Sequence, residues 1–319
     1  MSSRKTRKEK TSQAAAASRC FLCETGSFKP GYEKIFIEAG VFGVEFCGNC
    51  GLGRTVPLPE EAGEGSGADP AGLSLAARLL RRCFAGAGRR RIERFVNKDK
   101  GGILDIGRAR EDFLSAMEDR GWTVHGLDAD SLAAGSGAHA GLDILPEASF
   151  DAAVFWRVFG HIQDPATALR ECARALKPGG ALVMAVPNVK SLQARITGKA
   201  WFYLDPRFNA YHYTEANLRL LLAKSGFEVA EVRRFSAEYG PFGLLQSIYN
   251  VGGFRRNILY NPLSSASGRG IGFYVDIVQI LTTLPLTIPI AVILAVVEAW
   301  QGNGGVMEIY ARKRARPGT

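Results

Sequence analysis

Two cysteine pairs are the densest chemical signal in this chain: Cys20 and Cys23 stand two residues apart, and so do Cys47 and Cys50. A Cys-x-x-Cys turn aims two thiolates at one point, and two such turns complete a tetrahedral shell for zinc. Gly48 and Gly51 supply tight backbone beside the second pair. The alternative is four unrelated buried thiols. A shell of four thiolates leaves no open coordination position, so zinc there is expected to be structural. Cys83 and Cys172 fall in helical patterns and read as small core residues.

A second signal is GGILDIG at 101–107, an apolar run that closes on glycine just before a helical pattern. Such a turn brings backbone N–H groups toward a cofactor. Asp128 ends the next strand about twenty residues on, where a carboxylate accepts from ribose hydroxyls. His161 and His212 are candidate general bases, because a neutral imidazole titrates near working pH. Each also reads as a structural histidine. Residues 201–213, WFYLDPRFNAYHY, offer aromatic faces for a sugar ring or form an apolar plug. Arg78, Arg81, Arg82, Arg89, Arg90, Arg91 and Arg94 are either phosphate contacts or a solvated helix face.

These residues need elements to hold them. Strand patterns at 101–107, 122–128, 150–156, 181–188 and 227–235 alternate with helical ones at 111–121, 165–176 and 214–226. That rhythm implies an α/β fold with a doubly wound, largely parallel sheet, which binds ligands beyond the carboxyl ends of its strands. The divisions expected are a basic tail (1–19), a cysteine module (20–56) and a Pro/Gly/Glu linker (57–70). They continue with an α/β domain (71–239), an apolar insertion (240–302), and a last strand with a basic tail (303–319).

The chain has 319 residues, 46% of them hydrophobic, which suffices for one large core and a small module. Its net charge of +9 resides in the tails: six basic residues face only Glu9 in residues 1–19, and Arg312, Lys313, Arg314 and Arg316 crowd the other end. The neutral body argues against a nucleic-acid partner, whereas basic tails suit an anionic membrane surface. With no signal-peptide pattern at the start, a reducing, cytoplasmic setting is expected.

Residues 103–232 resemble class I S-adenosylmethionine-dependent methyltransferases, and more narrowly the subgroup that begins with a zinc ribbon and accompanies glycan and polysaccharide biosynthesis. The resemblance is carried by LDIG at 104–107, GLD at 126–128, SFD at 149–151, HIQDP at 161–165 and LKPGG at 176–180. VPN at 186–188, AYHYT at 210–214 and GFEV at 226–229 complete it. It implies a Rossmann-like sheet and S-adenosylmethionine as cofactor, held by Asp105, Gly107, Ala109, Asp128 and, on the adenine side, Asp143. It also implies methyl transfer to a hydroxyl of a small-molecule or glycan-lipid acceptor, with His161 or His212 as base. Ala109 and Glu111 stand where the family has its second and third loop glycines, Gly160 where it commonly has glutamate, and Asn209 where histidine often appears. Those departures support a second reading, a catalytically degenerate scaffold at the membrane.

Residues 277–297 carry no charge and would span about 31 Å as a helix, enough to cross a bilayer. The resemblance, however, implies that the final strand lies antiparallel beside FEVAEV, which puts both ends of 240–302 on one side of any membrane. A kinked hairpin, a segment lying in one leaflet, or a helix pair forming a dimer contact remain. Pro285 and Pro289 favour a break. Peripheral association with the inner membrane face is the expectation.

Overall fold

The structure, a computed structural model, describes residues 19–25, 27–37, 40–59, 75–107, 111–128, 144–260 and 271–314. Three antiparallel strands come first: β1 (Phe28–Ile37), β2 (Gly40–Cys47) and β3 (Gly53–Val56). Helix α1 (Leu75–Val96) leads into β4 (Gly102–Gly107), α2 (Glu111–Glu118) and β5 (Thr123–Asp128). Then follow β6 (Phe150–Trp156), α3 (Pro165–Ala175), β7 (Leu176–Pro187), α4 (Leu192–Thr197), β8 (Tyr211–His212), α5 (Glu215–Lys224) and β9 (Phe227–Arg233). Helices α6 (Gly240–Val251) and α7 (Ile271–Trp300) precede the last strand, β10 (Val306–Lys313).

Six strands form the main sheet in the order β5-β4-β6-β7-β10-β9. β5, β4, β6 and β7 are parallel, and β10 inserts antiparallel between β7 and β9. The parallel strands are apolar runs because helices cover both faces; every residue of β6 is buried. On one face Leu104, Ile106, Phe155 and Met184 pack with Leu169 and Leu222. On the other, Ile103, Val154 and Val183 pack with Ile92, Phe113 and Met117. Asp151 is the polar exception in β6. It accepts from Gly102 N (2.9 Å), Lys98 Nζ (2.5 Å) and Lys177 Nζ (2.8 Å), and burial is outweighed by the two ammonium groups, which hold its carboxyl at about 2.

Helix starts follow local rules. Asp164 caps α3, accepting from Thr167 N at 3.0 Å with Pro165 in the first turn. Thr214 and Asn217 close a reciprocal capping box at α5. The sequence reading carried the third helix through residue 176 and opened the next strand at 181. Instead α3 ends at Ala175 and β7 begins at Leu176, because Pro178 pushes the residue before it into extended backbone.

Two outcomes separate the N-terminal strands and the apolar segment from their sequence expectations. The cysteine module is not self-contained: β8, over 150 residues later, joins β3 as the fourth strand of its sheet. And α7 does not break at its prolines. It is one 30-residue helix with Pro285 and Pro289 inside. Tyr249 on α6 bonds Thr283 and Thr287 of α7 at 2.9 and 2.8 Å, and a Cβ at Gly240 would lie 3.7 Å from Ala295. The two helices thus run antiparallel, and this packing together with Thr hydroxyls bonded to carbonyls of the preceding turn carries α7 through. Its end is tied to the sheet domain: Glu298 accepts from Gln193 N, Gln193 Nε2 and Gly305 N.

Candidate active site and metal centre

The four cysteine sulfurs lie within 4.8 Å of one another. Cys20 Sγ is 3.5 Å from Cys50 Sγ, and Cys23 Sγ is 3.6 Å from Cys47 Sγ. Disulfides would need about 2.05 Å, whereas four sulfurs about 2.3 Å from a tetrahedral zinc lie about 3.8 Å apart. Donor type, number and spacing therefore fit zinc, and the cluster is closed on all four sides. Burial raises the thiol pKa of Cys20 and Cys50, a cost that a bound cation removes. Cys172 is buried in α3; Cys83 is exposed on α1.

The centre does more than close a loop. Cys20, Leu22, Cys47 and Leu52 pack in the same core as Leu104, Phe159 and Leu218 of the sheet domain. Lys224 at the end of α5 donates to Leu22 O at 2.8 Å. The module is thereby pinned to the end of α5.

At the carboxyl ends of the parallel strands, register places Gly107 beside Asp128 and Asp105 beside Gly126. Asp105 is fully buried. Gly107 has φ +104, and a Cβ there would fall 2.8 Å from both Val158 methyls. Only glycine allows β4 to end against the segment that follows β6. Of the residues expected to hold a cofactor, Asp105, Gly107 and Asp128 come together here. Ala109 and Asp143 lie outside the described residues, as do the side chains of Asp128, Glu111 and Arg78.

Past β6 the chain makes a single 3-10 turn at Phe159–His161. His161 has its Nδ1 buried with no hydrogen-bond partner, and its ring lies 5.9 Å from that of Phe208. Burial, and then the charge of Arg157, push the imidazole down to about 4, so it is neutral at physiological pH. His212 behaves differently. The Thr55 hydroxyl donates to Asn209 O at 2.5 Å, so it accepts from His212 Nε2 at 3.0 Å. Each hydroxyl has one proton to give, which fixes His212 in the Nε2–H tautomer. The ring is buried in the β3–β8 pairing, and burial lowers its pKa to about 4. His212 fastens the cysteine module to the sheet domain. The sequence held no signal for this, since Thr55 lies 157 residues away.

The aromatic stretch forms a wall rather than an open stacking platform. Trp201, Phe202, Tyr203 and Leu204 are all buried, and Trp201 Nε1 donates to Gln193 Oε1 at 3.1 Å. Gly160, Trp201, Tyr203, Asn209 and His212 line one small cavity past the end of β7. A Cβ at Gly160 would sit 2.5 Å from Asn209 Oδ1. The two departures at 160 and 209 are thus complementary: the amide fills the space that a larger residue would need.

Three of the described arginines of α1 are committed to carboxylates. Arg81 pairs with Asp112 (2.8 Å), Arg89 with Glu93 (2.5 Å) and Arg91 with Glu308 (2.8 Å). Sequence reasoning passed over Arg157, directly after β6, whose guanidinium carbon lies 5.1 Å from the ring centroid of Tyr203. An arginine immediately behind the apolar run of residues 152–156 was the available sign.

Residues 77–232 match the family model of a methyltransferase domain. Over 90 residues the chain is 38% identical to a probable S-adenosylmethionine-dependent methyltransferase of Mycolicibacterium smegmatis, covering 27% of this chain and 32% of that one. It is 38% identical over 100 residues to a protein of the same description from Mycobacterium tuberculosis, covering 30% and 33%. The match thus spans about a third of the length of these curated relatives. Among solved structures, a methyltransferase from Archaeoglobus fulgidus aligns over 74% of this chain and 98% of its own at 18% identity, with a TM-score of 0.42. One from Mesorhizobium loti aligns over 70% and 96% at 17% identity, with a TM-score of 0.38.

Proposed function

We propose, on the premise that residues 77–232 belong to the class I S-adenosylmethionine-dependent methyltransferase family, that this chain methylates a hydroxyl of a sugar or lipid-linked glycan. The observation that carries the reading is the register of Gly107 with Asp128 at the carboxyl ends of β4 and β5. That register supports a cofactor site in which Asp128 accepts from the ribose beside the close-approach backbone of Gly107. When bound, S-adenosylmethionine supplies an electrophilic methyl group, and transfer then depends chiefly on proximity and orientation.

The chain's own residues supply the rest. Gly107 and Asp128 bind, and the buried wall of Trp201 and Tyr203 excludes water. His161, neutral and with Nδ1 unpartnered, takes the proton of the acceptor hydroxyl. His212 does not compete for that role, because its Nε2 proton is given to Thr55. The four cysteines hold structural zinc, which fixes β3 against β8 and so the loop bearing Asn209.

Helix α7 supports a membrane-borne acceptor. Residues 272–300 have a mean hydropathy of 2.5 over their most apolar stretch, with only 17% of it buried. Trp300, Leu286 and Ile293 are 87%, 69% and 61% exposed. The direct return of β10 to the sheet after α7 supports a helix lying along one leaflet rather than crossing it. Calorimetric titration of folded, zinc-loaded, detergent-stabilised protein with S-adenosylmethionine and S-adenosylhomocysteine tests the activity. Micromolar binding is expected, and an absence of heat with both ligands would overturn the reading.

A further inference from the structure

Arg157 is a half-buried arginine with no ion pair to any described residue. Its backbone adopts φ +62, an uncommon left-handed conformation for a non-glycine residue, and its N–H donates to Ala185 O at 2.9 Å. The guanidinium carbon lies 5.1 Å from the ring centroid of Tyr203 and 5.4 Å from that of Tyr239. Tyr203 Oη donates to Tyr239 O at 2.6 Å, which locks the two aromatic walls together. No hydrogen bond or ion pair joins the guanidinium to any described residue, and Nε is buried with no partner. By contrast Arg54, Arg81, Arg89, Arg91, Arg174 and Arg234 each hold a carboxylate.

A buried Nε–H without a partner is costly, and aromatic faces offset only part of that cost. Its five N–H groups in a rigid fork match the oxygens of a phosphate or carboxylate. Position completes the case. Arg157 immediately precedes Val158, which packs on Gly107, and stands four residues before His161. The side chain is half-buried, and Tyr203, whose ring faces its guanidinium, lines the small cavity past the end of β7.

We propose that Arg157 is an anion-binding residue of the acceptor pocket and selects acceptors that carry a phosphate or carboxylate near the methylated hydroxyl. This rests on the methyl-transfer reading, and it narrows the acceptor from glycans in general to anionic ones, a sugar phosphate or a lipid-linked pyrophosphate among them. Tyr203 and Tyr239 pre-organise the fork, so little ordering is left to occur on binding.

The test is calorimetric titration with inorganic pyrophosphate, with and without saturating S-adenosylhomocysteine, of wild type, Arg157→Gln and Arg157→Lys. Melting curves establish that each variant is folded. Pyrophosphate affinity is expected to fall at least tenfold in Arg157→Gln and less in Arg157→Lys, which keeps the charge but not the fork. S-adenosylhomocysteine affinity is expected to change less than threefold. Pyrophosphate affinity equal in all three proteins would overturn the proposal. So would a tenfold loss of S-adenosylhomocysteine affinity in Arg157→Gln, because it would assign the guanidinium to the cofactor's own carboxylate. The arm without S-adenosylhomocysteine decides the anion site even if no cofactor binds, so failure of the activity is distinguishable from failure of this proposal.

Discussion

Replacing Gly107 with alanine asks what the glycine at the end of β4 is for. An added Cβ would stand 2.8, 2.8 and 2.9 Å from Val158 Cγ1, Cγ2 and Cβ, and Val158 is 4% exposed, with little room to retreat. Overpacking of that kind costs about 1–3 kcal/mol. Holding alanine at φ +104 adds about 1–3 kcal/mol of backbone strain. The single variant should therefore lose about 2–6 kcal/mol, a large share of a typical stability of about 5–15 kcal/mol. Val158→Ala alone removes two buried methyls and should lose about 1–3 kcal/mol. In the double variant the clash is gone but the strain stays, so the two losses should fall short of additive by about 1–3 kcal/mol. Urea denaturation of the four proteins gives the coupling directly. Additivity within about 0.5 kcal/mol would refute the argument that Val158 is what demands glycine at 107.

Gly160→Glu, which restores the commoner family residue, should destabilise by about 1–3 kcal/mol, with part regained in a Gly160→Glu/Asn209→Gly double variant; equal melting temperatures would remove the complementarity argument. Asp151 has a folded pKa held near 2, below its ordinary 3.8, so its contribution is complete above pH 4 and lost as pH falls toward 2. Asp151→Asn should thus be less stable at pH 7, and the difference should shrink between pH 4 and pH 2 in denaturation curves; a constant difference would exclude the linkage. Elemental analysis should find one zinc per chain, and a strong chelator or Cys47→Ser should lower the melting temperature; metal-free protein with unchanged melting would rule out the centre. Flotation with anionic vesicles should capture the protein, and Leu286→Glu/Ile293→Glu should release most of it; no flotation of wild type at low salt would exclude the leaflet assignment of α7.

Much of the site was readable before any fold was known, because the features involved are local. Two Cys-x-x-Cys pairs carry their own geometry, and Asp105, Gly107 and Asp128 sit at strand ends that apolar runs and glycines mark in one dimension. The pattern also carried the strand–helix alternation and the apolar helix, since hydrophobic periodicity is set by burial of whole faces.

What the sequence did not hold was partnership across distance. Nothing in Thr55 announces His212, and nothing in Gly160 announces Asn209 as the group that fills its space. The pairing of β3 with β8 turned a candidate base into a fastening, and packing on α6 carried Pro285 and Pro289 through a helix that local rules would break. Arg157 looked like one arginine among many until the rings of Tyr203 and Tyr239 stood against it and its Nε was left without a partner. The sequence by itself determined which elements form and which residues lie at their ends, because backbone propensity and periodicity act over a few residues. Only the tertiary structure decided which polar groups are already satisfied and which are left to bind, because that depends on partners brought together by the folded chain.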